Sequence, residues 1–306
     1  MRLLRTTLLL AALGALAARA SADHLLLVAF GQHFYQSQSF GPSLAQEDRF
    51  LFTALAIPDP SSSTPIGSVS VTRPDGRERG MSSPDPGGIK HFDESFSTLA
   101  WLERTYAEGA YEFRVWTAPL KSCRVPIELS GRSFPPPPRI ANLDAAQSFA
   151  AESDFTVQWD PWADGSAADF VQFTVKDNSG AVVFETPFLT QPETLNGLAT
   201  SALIPAGTLS PAKPYVGELL WLRSVRESTG ECAEVTAQAA YYCATEFPLA
   251  TSAPPPTFRP SLRRSLPSNG GSGVPVRSVV AFEFSQPMAP EVAIAWSANA
   301  QTLDWT

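Results

Sequence analysis

Residues 171–182, VQFTVKDNSGAV, decide the fold. Val171, Phe173 and Val175 alternate with Gln172 and Thr174, the period of two that gives a strand one apolar and one polar face. Asp177-Asn178-Ser179-Gly180 follows, where Asn and Gly tolerate positive φ and Asp caps the turn locally. Strand, polar turn and a second strand from Val182 make a β-hairpin. The same pattern recurs elsewhere. Phe155, Val157 and Trp159 alternate with Thr156 and Gln158. Residues 50–57 and 66–71 read as strands, the second running into the turn signal Arg73-Pro74-Asp75-Gly76. Tyr111, Phe113 and Val115 point one way, with Glu112 and Arg114 opposite. Residues 92–106 read as strand and loop; a short helix is the alternative, because Phe92, Phe96, Leu99 and Leu102 are spaced at three or four. With 28 prolines and 19 glycines among 306 residues, few windows remain for a long helix. The expected class is all-β, built from tandem β-sandwiches.

Proline also marks expected boundaries. Pro135 to Pro138 is a run that should be extended and semi-rigid, and Pro254-Pro255-Pro256 is a second. They divide the chain into a sandwich over 23–134, a linker over 135–138, a sandwich over 139–250, a Pro/Ser-rich linker over 251–265 and a short remainder over 266–306.

Residues 1–22 carry a basic start, an apolar run over 6–18, and the small-x-small triplets Ala18-Arg19-Ala20 and Ala20-Ser21-Ala22. This is the pattern of a signal peptide whose removal leaves Ser21 or Asp23 first. The removal takes away Arg2, Arg5 and Arg19 and no acids, moving the net charge from −8 to −11. That balance argues against nucleic acid and anionic membrane surfaces as partners, since both require clustered Lys and Arg. No later segment has the length and apolarity of a transmembrane helix. The expected location is secreted or cell-envelope, periplasm or cell surface. The expected partner is an extracellular protein or a polysaccharide.

Cysteine usage suits an oxidising compartment. Cys232 and Cys243 flank a plausible hairpin over 234–240 and are expected to form a disulfide, leaving Cys123 over. No C-x2-C pair exists, and His24, His33 and His91 are scattered without ligand spacing, so neither a metal nor a cofactor is expected.

Leu209-Ser210-Pro211-Ala212-Lys213-Pro214-Tyr215 has the spacing L-x-P-x-x-x-Y and resembles the tyrosine corner of fibronectin type III domains. The resemblance covers about 139–250, with Trp159 at the end of an early strand in the same order. It implies a Tyr215 hydroxyl bonded back to the upstream backbone. The Cys232/Cys243 pair departs from that family. Glu108-Gly109-Ala110-Tyr111-Glu112-Phe113 is similar to the G-x-Y strand of immunoglobulin-like sandwiches. Ser272-Gly273-Val274-Pro275-Val276, then residues 279–284 and Ser285-Gln286-Pro287-Met288, resembles the opening of surface-layer-type bacterial Ig-like domains. Only about 40 residues follow that pattern, against the roughly 100 a sandwich requires. A downstream continuation or a strand-donating partner is therefore expected to complete it.

Residues 158–165, QWDPWADG, form the most chemical-looking run. As an EF-hand-like loop from Asp160, it has Asp164 and Gly165 at positions 5 and 6. Trp162 at position 3 and Val171 at position 12 leave the second acid and the bidentate Glu missing. As a sugar platform, Trp162 with Asp164 is the candidate ligand site, because Trp162 follows a proline in a polar loop while Trp159 continues a buried alternation. The competing reading, a strand end and its loop, is preferred. G-x-S-x-G, H-E-x-x-H, P-loop and G-x-G-x-x-G motifs are all absent, so no catalytic residue is expected. The function expected is a non-enzymatic exported spacer or adhesion protein; the alternative is a carbohydrate-binding or accessory module of a secreted hydrolase.

Overall fold

The computed structural model describes residues 24–37, 41–59, 62, 64–83, 88–117, 121–231, 233–253, 262–266, 281–284, 296–298 and 301–303. The signal segment, the 254–256 proline run and the 272–276 turn lie outside them. The chain divides into two compact units, Met1–Ala253 and Pro254–Thr306.

The first unit runs through β1 (His24–Tyr35), β2 (Ser43–Leu44), β3 (Phe50–Pro58), β4 (Ile66–Thr72), β5 (Glu78–Met81), β6 (Lys90–Phe96), α1 (Leu99–Thr105), β7 (Gly109–Thr117) and β8 (Lys121–Leu129). It continues with α2 (Leu143–Ala146), β9 (Phe155–Gln158), β10 (Phe170–Lys176), β11 (Val182–Glu185), β12 (Leu195–Asn196), β13 (Ser201–Ile204), β14 (Pro214–Thr229) and β15 (Val235–Ala250). The protein is all-β, as expected. The helix alternative holds for the C-terminal half of 92–106: Thr98 caps α1 by accepting the Trp101 N–H, which satisfies a first-turn donor.

One sheet organises this unit, in the order β11-β10-β14-β15-β1-β3-β6, with β12 on β10 and β2 on β1. Its spine is the β14–β15 hairpin, two strands of 16 residues each, about 50 Å long at the rise of an extended chain. Alternation along β15 sorts its neighbours. Val235, Ala237, Ala239 and Tyr241 enter one core with Leu26, Val28 and Phe30 of β1, beneath the sheet β5-β4-β7-β8. Further along the same face, Phe247 and Leu249 enter a second core with Val171, Phe173, Leu219 and Trp221, beneath the β9–β13 pair. Two sandwiches thus use one face of one sheet. A register shift in β14 between Ser224 and Arg226 lies between the two cores, where a bulge lets the strand bend and twist.

Pro135 to Pro138 runs from Phe134, packed against the first core, to Ile140 in the second, alongside a sheet that also passes from one core to the other. The Gln36 side chain holds both the N–H and the C=O of Ile140, at 2.8 and 3.0 Å, fixing the end of the proline run to β1.

Turn chemistry follows the sequence closely. Asp177 Oδ1 accepts from the N–H groups of Ser179 and Ala181, and Gly180 takes φ +83°. The Tyr215 hydroxyl accepts the Ser210 N–H at 2.9 Å, the corner contact implied by the spacing. Tyr111 repeats the device, donating to Ala107 O at 2.8 Å.

In the second unit, β16 (Leu262–Leu266) pairs with β17 (Ala281–Phe284), and β18 (Trp296–Ala298) pairs with β19 (Gln301–Leu303), both antiparallel. β16 falls largely inside the stretch read as linker.

Candidate functional site

The QWDPWADG run ends β9 and turns. Trp159 is buried, and its indole N–H donates to Ala199 O at 2.7 Å. Gly165 N–H closes the turn on Trp162 O at 2.9 Å. Trp162 is only 4% exposed. Its ring lies parallel to Trp221, centroids 5.1 Å apart, and the Arg223 guanidinium sits over it at 4.9 Å. Its indole N–H donates to Asp164 Oδ1 at 2.9 Å. Arg223 pairs with Asp164 at 2.9 Å and with Asp169 at 3.3 Å. The Arg223 hydrogen bond holds the Asp164 carboxyl below the usual carboxylate range. No ring face is left for a sugar: the polar loop is tied down by a cation from a strand 59 positions away. Trp162 and Asp164 come together as expected, but as a packed corner, because Arg223 supplies the cover that a local reading lacks.

The cysteines differ from expectation. Cys243 is a free, buried thiol in mid-strand, opposite Trp221, and donates to Pro135 O at 3.0 Å. Burial pushes the thiol up to about 12. The expected Cys232–Cys243 bond is not made, since Cys243 is a free thiol. Cys232 itself lies outside the described residues. Cys123, read as left over, is disulfide-bonded.

His24 is buried as structure: Asp59 N–H donates to Nδ1 at 3.2 Å and Nε2 bonds Thr64 O at 2.7 Å. His91 is exposed on an edge strand. Among the described residues no three His, Cys, Asp or Glu side chains cluster as metal ligands, and no helix is long and apolar enough to cross a membrane.

His33 is different, because it belongs to the opposite face of the long sheet. There Leu27, Ala29, Phe170, Leu222, Ala240 and Tyr242 form a third apolar cluster. The Tyr242 ring lies flat over Gly31, where any Cβ would approach its Cζ to 2.0 Å. Cavities of about 750, 790 and 280 Å³ adjoin on this face, and Lys176 and Glu218 line all three. The Lys176 ammonium pairs with Glu218 at 2.9 Å. Burial lowers the His33 imidazole below its ordinary value, against the pull of Glu218 and Glu246. Sequence reading misses this site, since its residues come from five strands and each one reads only as the outward side of its own.

No known protein family matches the chain, and no curated protein does. Among the solved structures similar to it are three of immunoglobulin-like and adhesin proteins. The fibronectin domains FN1–FN3 of chicken CNTN1 share 10% identity at TM-score 0.22, over 63% of this chain and 59% of that one. Murine CEACAM1b shares 9% at TM-score 0.20, over 74% and 99%. The Yersinia pseudotuberculosis adhesin InvE shares 12% at TM-score 0.17, over 71% and 58%. The chain spans less than two thirds of the first and third of these.

Proposed function

We propose that this chain is a non-enzymatic binding and spacer module, exported to the cell surface or the surrounding medium. The carrying observation is the shared sheet. Two sandwiches joined through 16-residue strands behave as one stiff body, because bending between them would break the β14–β15 ladder itself. Such a body holds surfaces at fixed separation, the task of an adhesion or spacer domain.

A disulfide supports export, since such bonds persist in oxidising compartments. With Cys243 free, the partner of Cys123 within the chain is inferred to be Cys232. The neighbours agree: Glu231 N–H donates to Arg124 O at 3.2 Å. Peptide mapping without reductant is expected to recover one linked fragment containing Cys123 and Cys232, and alkylation of Cys243 only after denaturation. A fragment linking Cys243 would refute the pairing.

The export reading is tested by fractionating cells that express the tagged chain. The expected product lies outside the cytoplasm with Ser21 or Asp23 as its first residue. A cytoplasmic product beginning at Met1 would overturn it.

A further inference from the structure

We propose that the outer face of the long sheet is a binding groove for an extended peptide segment of a partner protein, carrying Lys or Arg on either side of an apolar core. The proposal rests on the binding-module reading but not on export.

The argument begins with the register. One transverse row of this face runs Leu51, Gly31, Tyr242, Leu222, Phe170, and the next runs His33, Ala244, Leu220, Gln172. The first row with Ala244 and Leu220 of the second forms an apolar floor, beside which Phe188 and Leu189 pack, while His33 and Gln172 end the second row as polar groups. The row after that is charged: Glu246 and Glu218 are direct cross-strand partners. Like charges placed opposite each other destabilise a sheet. Lys176 answers Glu218, and among the described residues no cation pairs with Glu246. Asp48 and Asp93 extend the negative rim on one side, Asp59 and Glu185 on the other. Among the described residues, Lys176 is the one ammonium lining any of the three cavities.

An apolar floor between two acidic rims selects a ligand with an apolar middle and positive ends. From β3 to β10 the floor crosses four strand spacings, about 19 Å, the length of about six extended residues. That span favours a peptide over a small cation. The groove's backbone is already paired within the sheet, so side chains supply the recognition: the apolar middle fills the 280 Å³ pocket, and the basic ends meet the rims.

The test uses the purified full chain and fluorescence anisotropy with a labelled Lys-Lys-Leu-Phe-Leu-Lys amide. The control is the same peptide with Glu in place of Lys. Saturable binding of the basic peptide alone is expected, weakening as salt is raised. Glu246→Gln removes a repulsive carboxylate, so its melting temperature is expected to hold or rise while affinity falls. Glu218→Gln/Glu246→Gln is expected to lose about tenfold or more, the equivalent of one good charge contact. Glu128→Gln, at an exposed position of β8, is expected to bind as the parent does. Absence of saturation at millimolar peptide, equal binding of the acidic control, or unchanged affinity of the double variant would each overturn the proposal. None of these outcomes bears on where the cell places the protein.

Discussion

Residues 23–134, produced alone, are expected not to fold. β1 would lose its parallel neighbour β15 along twelve residues, exposing a central strand as a bare edge. The first core would lose Val235, Ala237, Ala239 and Tyr241. Tyr241 is fully buried, and its hydroxyl donates to Glu108 at 2.5 Å. Burial of each large side chain contributes about 1.5–3 kcal/mol, and whole domains are stable by only about 5–15 kcal/mol. The deletion therefore removes most or all of the margin. Residues 139–250 keep β14 and β15 whole and hold the second core, but bare the Tyr241 side of β15, so aggregation is expected there instead. Residues 24–253 together are expected to unfold in a single cooperative transition. Denaturant titration followed by circular dichroism, with NMR dispersion of the 23–134 fragment, decides the matter. A dispersed spectrum and a cooperative transition for that fragment would mean that the sandwiches are independent and the proline run is a true domain boundary.

The sheet that the two sandwiches share shows what local pattern can and cannot carry. Alternation at Val171, Phe173 and Val175, the Asp177 turn and the Tyr215 corner all involve residues within a few positions of one another, and each appears in the structure. β1 is another matter. Its residues 24–31 are buried without alternation, Leu26, Val28 and Phe30 in the first core and Leu27 and Ala29 in the third cluster, but its partner begins 211 positions later at Val235. Nothing in the spacing of either strand names the other. A proline run marks a joint locally because proline stiffens an isolated chain; here Cys243 bonds Pro135 and Gln36 bonds Ile140, one contact at the start of the run and one just past its end. The groove was hidden for a related reason. Glu218 and Glu246 lie 28 positions apart and become opposed only through hairpin register.

Trp162→Ala is expected to destabilise the protein by about 3–5 kcal/mol, as loss of a large buried aromatic does. An exposed sugar platform would predict no such change. Three contacts would go at once: the stack on Trp221, the guanidinium cover from Arg223 and the bond to Asp164. Arg223→Met gives the complementary result. It keeps much of the apolar stem but leaves buried Asp169 without its cation, for an expected loss of about 2–3 kcal/mol, less than a fully buried pair because Arg223 is partly exposed. The acid dependence follows in sign. The Asp164 carboxylate, held below its usual range by Arg223, contributes stability that is complete above the unfolded-state value and is lost as pH falls through the folded one. The gap between parent and Arg223→Met is therefore expected to be widest near neutrality and to narrow below about pH 4. Thermal melts of the three proteins across that range measure it. A Trp162→Ala melt equal to the parent's would mean that the ring is not packed in solution, and would reopen the corner as a surface for stacking.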